Sequence, residues 1–169
     1  MRITRSIIGM GLAVSALAVS FHTDALADDK AALEARERNC AVAGATGGVE
    51  QAMECFSSSQ ELVAYDVFTP RESDGPQAAR RYFRSYFASG YKNMKVDFIS
   101  LHVATDGTIG YTNSIQHWTG LAPSGTPLDT NARVSDVWRK ENGSWKIILT
   151  HSSFPVDPMT YKADLHSQP

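Results

Sequence analysis

Four side chains in the last third of the sequence have types and spacing that could do acid–base chemistry. Two strands are predicted between residues 128 and 155. Because side chains alternate between the two faces of a strand, one face of this strand pair carries Asp136, Trp138, Trp145 and His151. A carboxyl and an imidazole can carry protons, and the indoles supply apolar surroundings that raise the pKa of a carboxyl. This combination indicates a pocket wall more than a plain sheet surface.

The same alternation extends the candidate site to other elements. On the last strand, the face with Trp145, Ile147 and Leu149 is more hydrophobic than the face with Lys146 and Thr150, so we expect the first face to be buried. We expect a cavity with possible catalytic residues Asp136, His117 and His151, which a family resemblance extends to Asp66, and with ligand-contacting residues Tyr65, Tyr86, Tyr111, Asn113, Ile115, Trp138 and Leu149.

Proton abstraction next to a carbonyl is the chemistry that these residues would suit. It needs a base and a group that stabilises the enolate on opposite sides of the substrate. Asp66 is the candidate base, and a protonated Asp136 or His117 could donate to the oxygen. Structural alternatives stay open: Asp66 binding loop amides, Asp136 pairing with Arg133, Arg139 or His151, and His151 bonding within the pocket rim.

Helices are predicted first and a run of strands afterwards. One helix is capped by Asp28 or Asp29 and stopped by Gly44, a short one covers 49–56, and a third runs from Pro76 to Gly90. A short extended segment lies at 62–68, and four longer strands follow from residue 94. This order predicts an α+β cone: a curved antiparallel sheet with three N-terminal helices covering its concave face and a ligand pocket at the open end.

The first 27 residues read as a cleavable secretory signal. Arg2 and Arg5 precede an apolar run at 7–21, and Ala25-Leu26-Ala27 offers a cleavage site. We expect export to the periplasm or the medium, no membrane attachment after cleavage, one domain over 28–157, and a loosely held tail over 158–169. In an oxidising compartment, Cys40 and Cys55 are expected to form a disulfide, the alternative being two buried thiols.

Charge and motifs narrow the function classes. The net charge is −2, with no basic stripe, so nucleic acid is not an expected partner. The sequence contains neither a glycine-rich phosphate loop nor a G-x-S-x-G elbow, and its histidines lack metal-ligand spacing. No cofactor and no metal are expected, and the expected partner is a small apolar or amphipathic molecule.

The segment from Arg133 to Pro155, R-V-S-D-V-W-R-K…G-S-W-K-I…H-S-S-F-P, resembles the SnoaL-like polyketide-cyclase group. That group belongs to the nuclear-transport-factor-2-like and ketosteroid-isomerase-like superfamily, and the resemblance runs from about Ala31 to Pro155. It implies that Asp66 matches the isomerase's general base and Asp136 its oxyanion-binding aspartate. It also implies a tyrosine on the first helix, where this sequence has Cys40 or a neighbour.

The resemblance implies a homodimer as well. The predicted pairing surface is the outer sheet face, with Ser135, Val137, Ile148 and Thr150. Three functions are then expected in order: binding of a small apolar molecule, an isomerase, cyclase or dehydratase with Asp66 as base, and a non-catalytic interaction domain.

Overall fold

The structure, a computed structural model, describes the backbone of residues 13–167 and the side chains of residues 25–167. The first twelve residues of the predicted leader lie outside this range. The helices are α1 (Ala13–Thr46), α2 (Gly48–Met53) and α3 (Gly75–Ala88). The strands are β1 (Val63–Tyr65), β2 (Ser73–Asp74), β3 (Lys92–Thr105), β4 (Ile109–Leu121), β5 (Pro127–Glu141) and β6 (Ser144–Ser153).

Helix α1 differs from its predicted bounds at both ends. It passes through the expected caps Asp28 and Asp29, and Asp29 instead forms an ion pair with Lys140 at the end of β5. Gly44 does not end the helix, which continues to Thr46, and the turn into α2 is made by Gly47 and Gly48. Within residues 13–167, no helix combines the length and the hydropathy that crossing a membrane requires.

The six strands form one curved, unclosed sheet in the order β2-β1-β6-β5-β4-β3. All neighbours are antiparallel except β1 and β6, which run parallel. The predicted α+β cone, with three helices against the concave face, is confirmed. Strand β2 and the first residue of α3 precede Pro76, where the third helix was predicted to begin.

Helix α1 packs closely against the concave face. Leu33 is fully buried, and a Cβ on Gly110 of β4 would come within 2.5 Å of its Cδ2 atom. Helix α1 can therefore pack this closely on β4 because Gly110 has no side chain. The core beneath consists of Leu33, Cys40, Cys55, Trp138, Trp145 and Ile147.

A β-bulge interrupts the pairing of β5 with β6. Val137 pairs with Leu149 but its neighbour Trp138 pairs with Ile147, so Ile148 is an extra residue on β6. One extra residue reverses the facing of every side chain beyond it. Trp145 and Ile147 point into the core as predicted, whereas beyond the bulge the inward residues are Thr150 and Ser152.

The C-terminal segment folds back on itself and contacts β5. Val156 bridges to Ala163, and the main-chain N–H of Asn131 donates to Leu165 O at 2.8 Å.

The expected disulfide is present. Cys40 on α1 and Cys55 after α2 are joined with an S–S distance of 2.12 Å, and both are buried. The bond ties the long helix to the segment that leads into the sheet.

The contribution of the disulfide to the free energy of unfolding can be measured. A loop closed over a separation of 15 residues stabilises a fold by about 3 kcal/mol in the chain-entropy model. Replacing both cysteines by alanine should lower the free energy of unfolding in urea by about that amount. Dithiothreitol should lower the wild-type value similarly and leave the variant unchanged; equal stabilities of variant and wild type would contradict the assignment.

Candidate functional site

A cavity of about 160 Å³ lies between the helices and the concave face of the sheet. Its walls are mainly apolar and include aromatic rings from α3, from the loops and from β4: Phe56, Phe68, Tyr82, Phe83, Tyr86, Tyr91 and Trp118. Three carboxyl side chains reach the same cavity: Glu37, Asp66 and Asp136. Among residues 25–167, no lysine, arginine or histidine lines it.

Asp136 occupies the inward face of β5, as predicted. Its side chain is 5% exposed, and its Oδ1 atom has no hydrogen-bond partner among the described residues. The arginines proposed as ion-pair partners are engaged elsewhere: Arg133 donates to Phe154 O, and Arg139 binds Glu61 and Glu141. The structure therefore removes the arginine-paired alternative for Asp136.

Glu37 is a site residue that the sequence analysis missed. It lies on α1 one turn after Leu33 and is only 2% exposed. Its Oε2 atom accepts a hydrogen bond from the Thr112 hydroxyl at 2.8 Å, and its Oε1 atom accepts one from Gln116 Nε2 at 3.2 Å. A charged residue between Leu33 and Cys40 on the buried stripe of a helix was the available signal.

Two indole groups determine the direction of these hydrogen bonds. An indole N–H can only donate. Trp118 Nε1 donates to Gln116 Oε1 at 2.9 Å, so the Gln116 amide must present its NH₂ group to Glu37. Trp138 Nε1 donates to Thr112 Oγ1 at 3.0 Å, so the Thr112 hydroxyl hydrogen is directed at Glu37.

Glu37 and Asp136 therefore differ in protonation. Both Glu37 oxygens receive donors, which favours its ionised form. Burial, followed by the charge of Glu37, raises the pKa of Asp136 well above its usual range; a hydrogen bond with Thr150 opposes this rise and one with Glu37 adds to it. Burial also raises the pKa of Glu37. The pair shares one proton, and the hydrogen-bond directions place it on Asp136.

Asp66 reaches the cavity from the end of β1. The parallel pairing of β1 with β6 holds Tyr65 opposite His151, and the next residue, Asp66, turns inward. Its Oδ1 accepts a hydrogen bond from the Phe68 main-chain N–H at 3.2 Å, so the backbone-binding alternative is realised as well. Burial raises the pKa of Asp66, with hydrogen bonds from Tyr82 and the loop opposing it.

The tyrosines of α3 form the wall next to Asp66. Burial raises the pKa of Tyr82, and the adjacent Asp66 carboxylate raises it further. Burial and Tyr91 raise the pKa of Tyr86 to about 12. Both phenols thus stay protonated and can donate hydrogen bonds. Tyr86 lines the cavity, as predicted.

The predicted inward face of β4 is wrong. Thr112, Ser114 and Gln116 are buried, whereas Tyr111 is 50% exposed and Asn113, Ile115 and His117 share its outer face. His117 forms a hydrogen bond with Asp129 at 2.9 Å outside the cavity. The inward positions are polar because they meet Glu37, so a search for apolar positions selects the opposite face.

Four further placements also differ from prediction. Beyond the bulge at Ile148, Leu149 and His151 point outward and Thr150 points inward. Tyr65 is 37% exposed and packs edge-on against His151, with ring centroids 5.9 Å apart. Trp138 is inward and fully buried, but it lies in the core behind the cavity. Of the predicted site residues, the structure brings together only Asp66, Asp136 and Tyr86 around the cavity.

The carboxyl pair predicts a pH dependence of stability. A carboxyl whose pKa is raised on folding binds more protons in the folded state, so the free energy of unfolding falls as the pH rises from about 4 through the raised pKa. The slope is up to about 1.4 kcal/mol per pH unit for one proton. Asp136→Asn cannot ionise and should flatten this slope in urea unfolding between pH 4 and 8. The variant Asp97→Asn, changed at an exposed position, should keep the wild-type slope. Identical slopes for the wild type, Asp136→Asn and Asp97→Asn would contradict the raised pKa of Asp136.

Comparison with known proteins agrees with this architecture. The family model described as "SnoaL-like domain" matches residues 33–157, which is most of the chain. No curated protein matches the sequence.

Several solved structures share the fold. An NTF2-like protein of unknown function from Pseudomonas putida KT2440 superposes with a TM-score of 0.73, at 17% identity over 85% of this chain and 98% of the other. A ketosteroid isomerase-like protein from Erwinia carotovora atroseptica superposes with a TM-score of 0.63, at 16% sequence identity, over 74% of this chain and 95% of the other. An NTF2-like superfamily protein from Salmonella enterica superposes with a TM-score of 0.64, at 17% sequence identity, over 80% of this chain and 94% of the other. With the family model matching from Leu33 to Asp157, this chain belongs to the SnoaL-like domain family.

Proposed function

We propose that the chain binds a small, largely apolar molecule in the cone and transfers protons on it without a cofactor, as an isomerase, cyclase or dehydratase would. One observation carries the proposal: two carboxyl groups of raised pKa, Asp66 and Asp136, line an aromatic cavity with no cationic lining residue among those described. An unpaired carboxyl in an apolar cavity can exchange protons near neutral pH.

The two carboxyl groups suit different steps. Asp66, ionised and held by Tyr82 and the Phe68 amide, would take a proton from the carbon next to a substrate carbonyl. Asp136, kept protonated beside ionised Glu37, would donate a hydrogen bond to the carbonyl oxygen as negative charge develops there. Return of the proton from Asp66 to another carbon of the same substrate would complete an isomerisation.

The strand register places Asp66 and Asp136 far enough apart for one substrate ring to fit between their side chains. Asp136 pairs with Thr150, Thr150 pairs with Ala64, and Asp66 lies two residues beyond Ala64. Two strand spacings and two residues along a strand correspond to roughly 12 Å between the Cα atoms. Side chains extending inward from both positions leave space for a small cyclic substrate between them.

Ligand binding without chemistry is the second candidate. It is favoured by Glu37, because the resemblance to the isomerase implies a phenol donor on the first helix and this chain presents a carboxylate towards Asp136 instead. The two candidates differ in whether a bound ketone exchanges its protons.

The outer sheet face supports a homodimer. Tyr111, Val137, Leu149 and Val63 are paired in one row across β4, β5, β6 and β1. This row is apolar and lies opposite the helices, so it could pair with a second copy while leaving the cavity open. We propose it in place of the predicted surface that included Thr150.

Substitution of the proposed base tests the enzymatic function. Asp66→Asn keeps the side-chain shape but cannot accept the proton, and loss of a general base costs about 10²- to 10⁴-fold in rate. Proton–deuterium exchange of cyclohexanone in D₂O, followed by NMR, should be accelerated by the wild type and lose at least about a hundredfold of that acceleration in Asp66→Asn.

The matched control for this experiment is Asp97→Asn on the outer face of β3, which should exchange at the wild-type rate. Equal acceleration by Asp66→Asn would remove Asp66 from the mechanism. Binding of cyclohexanone with no exchange in the wild type would leave ligand binding as the function.

Export, assembly and ligand retention can be tested in one measurement. We propose that the leader is removed between Ala27 and Asp28, a cut that leaves Glu37, the Asp29–Lys140 ion pair and the disulfide in the mature chain. Native mass spectrometry of protein from the periplasm or medium should show an oxidised dimer of chains that begin at Asp28, with a small molecule retained. A full-length chain confined to the cytoplasm would contradict export, and a monomer would contradict pairing.

A further inference from the structure

The charges around the cavity have one sign. Its three ionisable carboxyls, Glu37, Asp66 and Asp136, have no cationic counterpart among the described lining residues. The nearby arginines of the helices are used elsewhere, with Arg38 bound to Glu34 and Arg80 to Glu50. A carboxylate or phosphate ligand would meet three carboxyl side chains and no cation, so only neutral donors could replace the hydration that it loses.

Asp136 offers a free acceptor at the centre of this site. Glu37 already accepts from Thr112 and Gln116, whereas Asp136 Oδ1 is buried without any partner among the described residues. A buried acceptor that lacks a donor is costly, so a ligand that supplies an N–H there is favoured. A charged donor to a carboxylate makes a hydrogen bond roughly twice as strong as a neutral one.

The aromatic wall suits a cation as well. Tyr86 and Tyr91 stack with ring centroids 5.5 Å apart, and Phe68 lies 5.9 Å from Tyr91. The faces of such rings attract ammonium groups, and the attraction grows when water is excluded. A cavity of about 160 Å³ is close in size to an engineered cavity that takes up one benzene ring.

We infer that the preferred ligands of this cavity are organic amines, bound as ammonium ions at Asp136 with an apolar or aromatic body against the rings. The inference rests on the proposed function only in requiring that the cavity bind a small molecule. An incoming ammonium ion takes the place of the proton that Asp136 holds beside Glu37. That proton leaves to solvent, so the two carboxylates and the bound ammonium ion together keep the single negative charge that the pair had before.

Three probes of similar size test the inference by isothermal titration calorimetry at pH 7: benzylamine, benzyl alcohol and benzoate. Each has one ring and differs in the charge of its polar group. Benzylamine should bind at least tenfold more tightly than benzyl alcohol, and benzoate should bind more weakly than both. Benzyl alcohol or benzoate binding as tightly as the amine would overturn the inference while leaving small-molecule binding intact.

Failure of all three probes to bind would overturn the proposed binding function together with the inference. The variant Asp136→Asn should lower the benzylamine affinity more than the benzyl alcohol affinity, reducing their ratio at least fivefold. The surface variant Asp97→Asn should keep the wild-type ratio, because Asp97 lies on the exposed face of β3. An unchanged ratio in Asp136→Asn would show that the amine binds elsewhere and would overturn the assignment.

Discussion

The site depends on one buried carboxylate. Glu37 projects from α1 into the concave face of the sheet, where an ionised group is tolerated only if donors surround it. Thr112 and Gln116 supply those donors from alternate positions of β4, and Trp138 and Trp118 orient them. Because both hydrogen bonds point towards Glu37, the proton of the pair is left to Asp136. The chemistry of the cavity follows from this arrangement.

The same requirement explains why the centre of the sheet is polar. A sheet that met only apolar helix residues would have apolar side chains at the inward positions of β4. Here three consecutive inward positions are Thr112, Ser114 and Gln116, and their buried hydroxyl and amide groups are tied to Glu37 or to one another. The cavity therefore combines aromatic rings from α3, the connecting segments and β4 with the polar side chains of Gln116 on β4 and Asp136 on β5.

The disulfide and the bulge meet at Ile147 and Ile148 of β6. Cys40, one turn beyond Glu37, is bonded to Cys55, and the main chain at Cys55 and Ser57 is hydrogen-bonded to Ile147 on β6. Immediately after Ile147, the extra residue Ile148 reverses the facing of β6. Thr150 thereby comes beside Asp136 at the cavity, and His151 turns to the outside.

The sequence alone determined the α+β class and the order of the three helices and the longer strands, because these follow from local periodicity. Strand alternation indicated the inward position of Asp136, the resemblance to the isomerase indicated Asp66, and the expected export indicated the disulfide. Only the tertiary structure decided which face of β4 is buried and where His151 points. A polar inward face carries no hydrophobic signal, and a single bulged residue changes facing without changing the pattern of residue types. The partnership of Glu37 with Asp136 also needed the structure, since it joins residues about a hundred positions apart through the packing of α1 on the sheet.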